Sequence, residues 1–267
     1  MADIKLIAAD MDHTLLTEKG ELPPRFDDYI MRMEESGITF VIASGRPLYT
    51  LEWTFAKTFR NMSFICDNGG VVCHRGNVIF KSTLPVDEYR KMIEFVETET
   101  DGIPILCGLD TMYLSDKYTE YEEFLKKFYT KIVFVQNLRK VDAVVDKFTI
   151  YFPYMDSKEY YELVFKPKYS GKLAVTVGDK IWIDITNPGI DKGRAIRLLA
   201  DKLGLQYDQM MAFGDAYNDI EMLRAVKYSY VVANADEEMR QYANYVTDSN
   251  DEFGVIKVIN KVLQGKF

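Results

Sequence analysis

The chain has 267 residues, 48% hydrophobic and 28% charged, with a net charge of −8 and three cysteines. That length can bury an ample core in one or two domains. The acidic balance disfavours a general nucleic-acid binder, which would carry a basic face, and Cys66, Cys73 and Cys107 are too few and scattered for a disulfide framework or a zinc site. No apolar run approaches the ~20 residues that cross a bilayer. No basic and apolar leader opens the chain, which predicts a cytoplasmic protein with no membrane partner.

The first predicted element is a strand over residues 4–9 that runs straight into Asp10-Met11-Asp12-His13-Thr14. Continuous apolar runs suit buried strands of a parallel sheet. The two-residue period puts Asp10 and Asp12 on one side, with Met11 opposite. Ligands of open α/β sheets bind beyond the carboxyl ends of the strands. Two acids placed there point to a cation or a reaction, a solvated acidic turn being the plain alternative. A helix over residues 25–36 ends at Gly37, a fitting C-cap. A second strand over residues 38–43 ends in Ser44-Gly45-Arg46-Pro47. A hydroxyl and free backbone amides there suit an anion, and equally an ordinary strand-to-helix turn. A helix over residues 48–59, a strand over 64–66 and the turn Asp67-Asn68-Gly69-Gly70 follow. Residues 71–73 and 78–80 read as a hairpin around His74, which is expected to be solvated.

Strands alternating with helices predict a doubly wound sheet. From about Leu84 the pattern changes. Helices are expected over residues 87–99, 120–129 and 157–165, strands over 103–106, 111–114 and 148–152, and a hairpin over 173–185. This predicts an α+β unit over 84–186, a small antiparallel sheet covered on one face, inserted into a core of residues 1–83 and 187–267. Tyr118, Tyr121 and Tyr129 read as packing at helical spacing, with a sugar-stacking face as the alternative. Lys126, Lys127 and Lys131 read as a solvated face. The doubly wound pattern resumes with Lys192 opening a helix that ends at Gly204. A strand over residues 210–213 runs into Gly214-Asp215-Ala216-Tyr217-Asn218-Asp219. Strands over 230–232 and 245–247, and helices over 220–226, 236–243 and 253–263, complete the chain.

Three strand ends thus supply acids or donors, with Lys192 close in sequence to the last. Magnesium takes one or two carboxylates plus waters and substrate phosphate, which Asp10 and Asp215 can provide. Asp219 can hold a metal-bound water or cap the helix that follows. A carboxylate can also act as a nucleophile towards phosphorus, provided that lysine, hydroxyl or amide donors and a metal neutralise the phosphoryl charge. The leaving alcohol needs an acid, for which Asp12 is the candidate, His13 being the other titrating group at that strand end.

Asp10-Met11-Asp12-His13-Thr14, Ser44-Gly45-Arg46-Pro47, Lys192-Gly193 and Gly214-Asp215-Ala216-Tyr217-Asn218-Asp219 occur in that order. With this set the whole chain resembles the haloacid dehalogenase-like hydrolase superfamily, and within it the Cof-type phosphatases with an inserted type IIB cap. The resemblance implies a Rossmann-like doubly wound parallel core with an inserted α+β cap that excludes bulk water and selects the leaving group. It implies Asp10 as nucleophile and magnesium ligand, and Asp12 as general acid and base with its backbone carbonyl on the metal. Ser44 would bind the transferring phosphoryl group, in one substrate-binding loop with Gly45 and Arg46. Arg46 would meet an anionic substrate or brace the loop. Lys192 would steady the phosphate charge, Asp215 ligate magnesium, and Asp219 support the ion directly or through water. Asn218 would contact phosphate or position Lys192, and Asn187 would touch phosphate or substrate.

One residue departs from the family pattern. His13 stands where the family usually has Gly, which bends freely into positive φ, a conformation His adopts less easily. It would line the pocket, add a titrating group or merely sit in the loop. The expected activity is magnesium-dependent hydrolysis of small phosphate monoesters, sugar phosphates foremost, through an aspartyl-phosphate. The expected partner is a small phosphorylated metabolite, and the expected state a monomer or weak homodimer. A phosphomutase would use the same residues, and a receiver-like binding module would hold the phosphoryl group without turnover. A dehalogenase has no need of Asp12, and an ion pump needs spans that the chain lacks.

Overall fold

The computed structural model describes residues 3–267, apart from the side chain of Asp179. Its contacts divide the chain into two compact units. The first runs to Ser44 and then takes Phe55–Ile79 and Asp191–Phe267, while the second comprises Gly45–Thr54 and Phe80–Ile190. The second unit starts and ends a few residues outside the expected insertion of 84–186, and it includes a ten-residue stretch that follows Ser44. In chain order the strands are β1 (Leu6–Asp10), β2 (Thr39–Ala43), β3 (Ser63–Cys66), β4 (Val71–His74), β5 (Asn77–Lys81), β6 (Ile103–Gly108) and β7 (Met112–Ser115). They continue as β8 (Ile132–Val135), β9 (Val145–Tyr151), β10 (Ala174–Asp179), β11 (Trp182–Thr186), β12 (Met210–Gly214), β13 (Tyr228–Val232) and β14 (Tyr245–Thr247).

The first sheet runs β14-β13-β12-β1-β2-β3-β4-β5. From β14 to β3 every pairing is parallel, and β4 returns antiparallel to β3. β1 is central, with Ala9 opposite Phe213 on one side and Ile42 on the other. Its residues Leu6, Ile7, Ala8 and Ala9 are wholly buried, as a strand covered on both faces must be. The helix Phe26–Glu35 buries Phe26, Ile30 and Met33, spaced three or four apart, and Gly37 (φ 70°) closes it. The helix Lys192–Leu203 starts on Asp191, whose Oδ1 accepts from Arg194 N at 2.6 Å, and ends at Gly204 (φ 68°). Gly69 (φ 105°) is required where the β3–β4 turn meets that start, since a Cβ would lie 2.4 Å from the Asp191 carbonyl oxygen.

The second sheet runs β10-β11-β9-β6-β7-β8. Its pairings from β10 to β7 are antiparallel, but β7 and β8 are parallel. The expectation of a purely antiparallel sheet is therefore corrected by β8, an element not anticipated from the sequence. The expectation of a single covered face is corrected too. Phe148, Ile150 and Phe152 pack with Tyr89, Met92, Ile93 and Val96 of the helix Val86–Glu99. Tyr151, Ile103, Ile105 and Cys107 pack with Leu125 and Tyr129 in a second cluster, which Tyr118 and Tyr121 border. The side chains of β9 thus alternate between two cores. β9 also buries Lys147, whose Nζ donates to Gly45 O at 2.6 Å and lies 3.4 Å from Asp184 Oδ2. His74, expected to be solvated, is half-buried at the end of β4, with Nδ1 2.8 Å from Ser63 Oγ. Cys66, Cys73 and Cys107 are buried, and none of them forms a disulfide among the described residues. Among the described residues no helix is long and apolar enough to cross a membrane.

Candidate active site

β1 delivers Asp10 at the centre of the first sheet, and the chain turns at once through residues 11–15. Asp12 keeps extended backbone (φ −77°, ψ 132°), while His13 takes the left-handed conformation (φ 60°, ψ 0°). Residue 13 therefore bends as the usual Gly would, in a side chain for which that backbone is uncommon. The imidazole Nδ1 lies 3.0 Å from Glu18 Oε1. Partial burial alone would lower its pKa, but the hydrogen bond to Glu18 and the charges of Glu18, Asp215 and Asp12 outweigh that and raise it.

Lys192, wholly buried at the start of its helix, points its Nζ between two carboxylates, 2.5 Å from Asp10 Oδ1 and 2.7 Å from Asp219 Oδ1. Asp219 is wholly buried, and its Oδ2 accepts from the backbone N–H groups of Asp215 (3.0 Å) and Ala216 (3.1 Å). Both Asp219 oxygens are thus engaged by the protein, so this side chain fixes Lys192 and the loop after β12. Gly214 makes room for it, because a Cβ there would lie 2.5 Å from Asp219 Cβ. Asp215 is held through Oδ1 by the Thr14 hydroxyl, which donates at 2.6 Å.

Burial disfavours the ammonium of Lys192, yet the adjacent Asp10 and Asp219 carboxylates more than reverse this and raise its pKa, so it stays a cation. Burial pushes Asp10 up, against the pull of Lys192, and the charges of Asp219 and Asp215 push the same way. Burial, then Asp219, carries Asp215 up to about 7. One oxygen from each of Asp10, Asp215 and Asp219 lies within 4.8 Å of the others. Three carboxylates around one lysine leave an excess of two negative charges when all are ionised. Hard oxygen donors with that charge fit a magnesium ion, with Asp10 and Asp215 as the acids whose oxygens remain to be shared.

Ser44 is buried at the end of β2, its backbone held by N–H donation to Ile65 O (2.8 Å) and by acceptance from Asn68 N (3.1 Å). Asn68 itself has positive φ (55°) and accepts from Asn218 Nδ2 at 3.1 Å. The first unit thus contains Asp10, Asp12, Ser44, Lys192, Asp215, Asn218 and Asp219. Gly45, Arg46 and Asn187 lie in the second unit. There Arg46 donates to Lys127 O at 2.9 Å and sits over the Phe128 ring, which braces its loop. Asn187 Nδ2 donates to Ser82 Oγ and Thr83 O, both at 2.8 Å, tying the segment after β11 to the segment after β5. Thr14 and Asn68 were not singled out from the sequence. Thr14 lies within the first motif, one helical turn's spacing after Asp10, and Asn68 lies in an Asn-Gly turn. Neither position carries a signal beyond local loop chemistry.

A family model described as haloacid dehalogenase-like hydrolase matches residues 7–259. The chain belongs to that family. This hydrolase is 32% identical, over 98% of its length and 97% of the other's, to the 5-amino-6-(5-phospho-D-ribitylamino)uracil phosphatase YbjI of Escherichia coli (strain K12). It is 28% identical to the phosphatase of the same name YcsE from Bacillus subtilis (strain 168), over 96% of this chain and 95% of that one. Among solved structures it resembles SMU.1108c of Streptococcus mutans UA159, with TM-score 0.91 and 31% identity, covering 98% and 99% of the two chains. It also resembles a haloacid dehalogenase-like hydrolase of Bacteroides thetaiotaomicron, with TM-score 0.82 and 26% identity, covering 97% and 99%. Membership and these relatives make the chain an enzyme, a phosphatase of the haloacid dehalogenase-like type, with the mixed α/β fold and parallel core of its neighbours.

Proposed function

We propose that this hydrolase cleaves small phosphate monoesters in the cytoplasm, sugar-type phosphates foremost, through an aspartyl-phosphate on Asp10 and with magnesium. The observation that carries the reading is Lys192, wholly buried between Asp10 and Asp219 with Asp215 beside them. A lysine so placed pulls Asp10 towards its ionised form, against the burial that pushes it up, and aims the carboxylate at the phosphorus, which a nucleophilic carboxylate needs. An Asp10 oxygen attacks phosphorus. The bond from phosphorus to the leaving oxygen breaks as Asp12 gives that oxygen its proton. Asp12 then takes a proton from water, whose oxygen attacks the phosphorus of the aspartyl-phosphate. The bond to Asp10 breaks, phosphate departs and Asp10 is restored. Bound magnesium would add charge neutralisation at the phosphoryl oxygens, and Asp10 and Asp215 are the side chains that would hold it. Ser44 would donate to the phosphoryl group, and Asn218 would act beside Asn68.

The names of three relatives favour a phosphate carried on a polyol chain, which is also the chemistry of sugar phosphates. The proposed partner is such a metabolite alone, with no nucleic acid and no membrane. A phosphomutase would use the same residues, but the relatives are named phosphatases. The test is phosphate release from sugar phosphates, polyol phosphates, nucleotides and an aryl phosphate, with and without magnesium, beside Asp10→Asn. Magnesium-dependent release lost in Asp10→Asn is expected. Turnover of substrate with no free phosphate would replace the reading with a mutase.

A further inference from the structure

His13 holds a backbone conformation that residues with a Cβ enter unwillingly, immediately after the residue proposed to give and take the proton. The surrounding loops grip it at both ends. Its carbonyl oxygen accepts from Asn234 Nδ2 at 2.7 Å, in the loop after β13. Asn234 Oδ1 accepts from Asn250 N at 3.0 Å. Asn250 is buried after β14, and its Nδ2 donates to Glu18 Oε1 (3.0 Å) and Leu16 O (2.9 Å). Glu18 Oε1 returns to His13 Nδ1 at 3.0 Å, which closes a ring of hydrogen bonds through the backbone and side chain of residue 13. Glu18 is fixed in turn by its N–H, which donates to Asp251 Oδ1 at 2.9 Å. Leu16 N donates to Met11 O at 2.8 Å, so the turn carrying Asp12 is closed on itself as well.

We infer that Asn234 and Asn250 are positioning residues for Asp12, which act by holding His13 in its left-handed turn. This rests on the proposed role of Asp12 as proton donor. Glycine at position 13 would enter this turn unaided. With histidine there, the bend is maintained by two asparagines that follow the neighbouring strands β13 and β14. Misplacing Asp12 has a specific kinetic consequence. An alkoxide leaving group needs its proton during P–O cleavage, and a nitrophenolate does not, so the two substrate classes separate loss of the acid from general damage.

The measurement is kcat/KM for the best alkyl phosphate of the panel and for p-nitrophenyl phosphate. It is made on the wild type, Asn234→Ala, His13→Gly and the double variant, all with magnesium. General acid catalysis is worth roughly a hundredfold or more, and Asn234→Ala displaces Asp12 without removing it. It should lower the alkyl value about tenfold and the aryl value less than about twofold. In the His13→Gly background the same substitution should change the alkyl-to-aryl ratio by less than about twofold, since glycine needs no hold. The ratio is independent of the fraction folded, so a destabilised variant still reports. Equal losses on both substrates, or the same ratio change with glycine at position 13, would overturn the inference. A wild type that releases phosphate from neither substrate overturns the hydrolase mechanism itself, before any variant is compared.

Discussion

Each unit of the molecule buries a lysine, and the two lysines are used differently. In the first unit Lys192 stands among Asp10, Asp219 and Asp215, carboxylates that outnumber it. In the second, Lys147 donates to the Gly45 carbonyl at 2.6 Å, while its acid neighbour Asp184 also accepts from Thr149 Oγ1 at 2.6 Å. Burying a charge is costly unless it is paired and hydrogen-bonded. Lys147 meets that cost with a contact that shapes the chain. Around Lys192 the accounting stays open on the negative side, which is the condition of a site that admits a cation and a phosphoryl group.

The comparison breaks most sharply at Asp10. Asp10→Asn should lower phosphate release at least about a thousandfold, measured as kcat on the best substrate with the fold checked by circular dichroism. Residual turnover within tenfold of wild type would remove Asp10 as nucleophile. The lysines come next. Lys192→Met should cost about a hundredfold or more in kcat. Lys147→Met should act on stability by about 3 kcal/mol, as the loss of one buried partner does, and on KM through the loosened Gly45 loop, with kcat within a few fold. Denaturant unfolding beside steady-state kinetics tests the pair, and equal kcat losses would erase the distinction.

Proton linkage sharpens the same contrast. Asp215 sits at about 7 when metal-free, raised by burial and then by Asp219. A carboxyl whose folded pKa exceeds its unfolded value adds stability below the unfolded value, near 4, and loses it as pH rises through about 7. The metal-free protein should therefore melt several degrees lower at about pH 8 than at about pH 5.5. Asp215→Asn should reduce that slope, and added magnesium should restore the midpoint at the higher pH. A midpoint unmoved by magnesium would argue against this metal site. The smallest effect is expected at Asn218→Ala, which removes one hydrogen bond to Asn68, worth about 1 kcal/mol. KM should rise a few fold with kcat nearly constant.

How much of this was readable in the residues follows from where each one sits. Asp10, Ser44, Lys192 and Asp215 lie at strand ends or a helix start, where an apolar run stops at a polar residue, and one-dimensional pattern detects that. Thr14, Asn68, Asn234 and Asn250 work through partners brought together by folding. Thr14 meets Asp215 from 201 positions away, and Asn250 meets Leu16 from 234. Their side chains are ordinary for loops, so no local signal separates them from other turn residues. The strand β8 was missed although Ile132-Val133-Phe134-Val135 has strand composition, because the helix expected over 120–129 left it looking like a connector. Its parallel pairing with β7 depends on the path of the chain between them, which composition does not record. The bend at His13 was anticipated only as a conflict with glycine, and its resolution lies in Asn234.

The stretch Gly45–Thr54 makes the second unit something other than a detachable cassette. The backbone passes between units at residues 44/45, 54/55, 79/80 and 190/191, four times rather than the two of a simple insertion. Tyr49, from the first of these excursions, is buried in the second unit's aromatic cluster. A shortened gene that deleted codons 80–190 would leave Tyr49 without that cluster, and a transplant of residues 80–190 alone would leave the cluster without Tyr49. Any exchange of the second unit has to carry the ten residues of Gly45–Thr54 along with it.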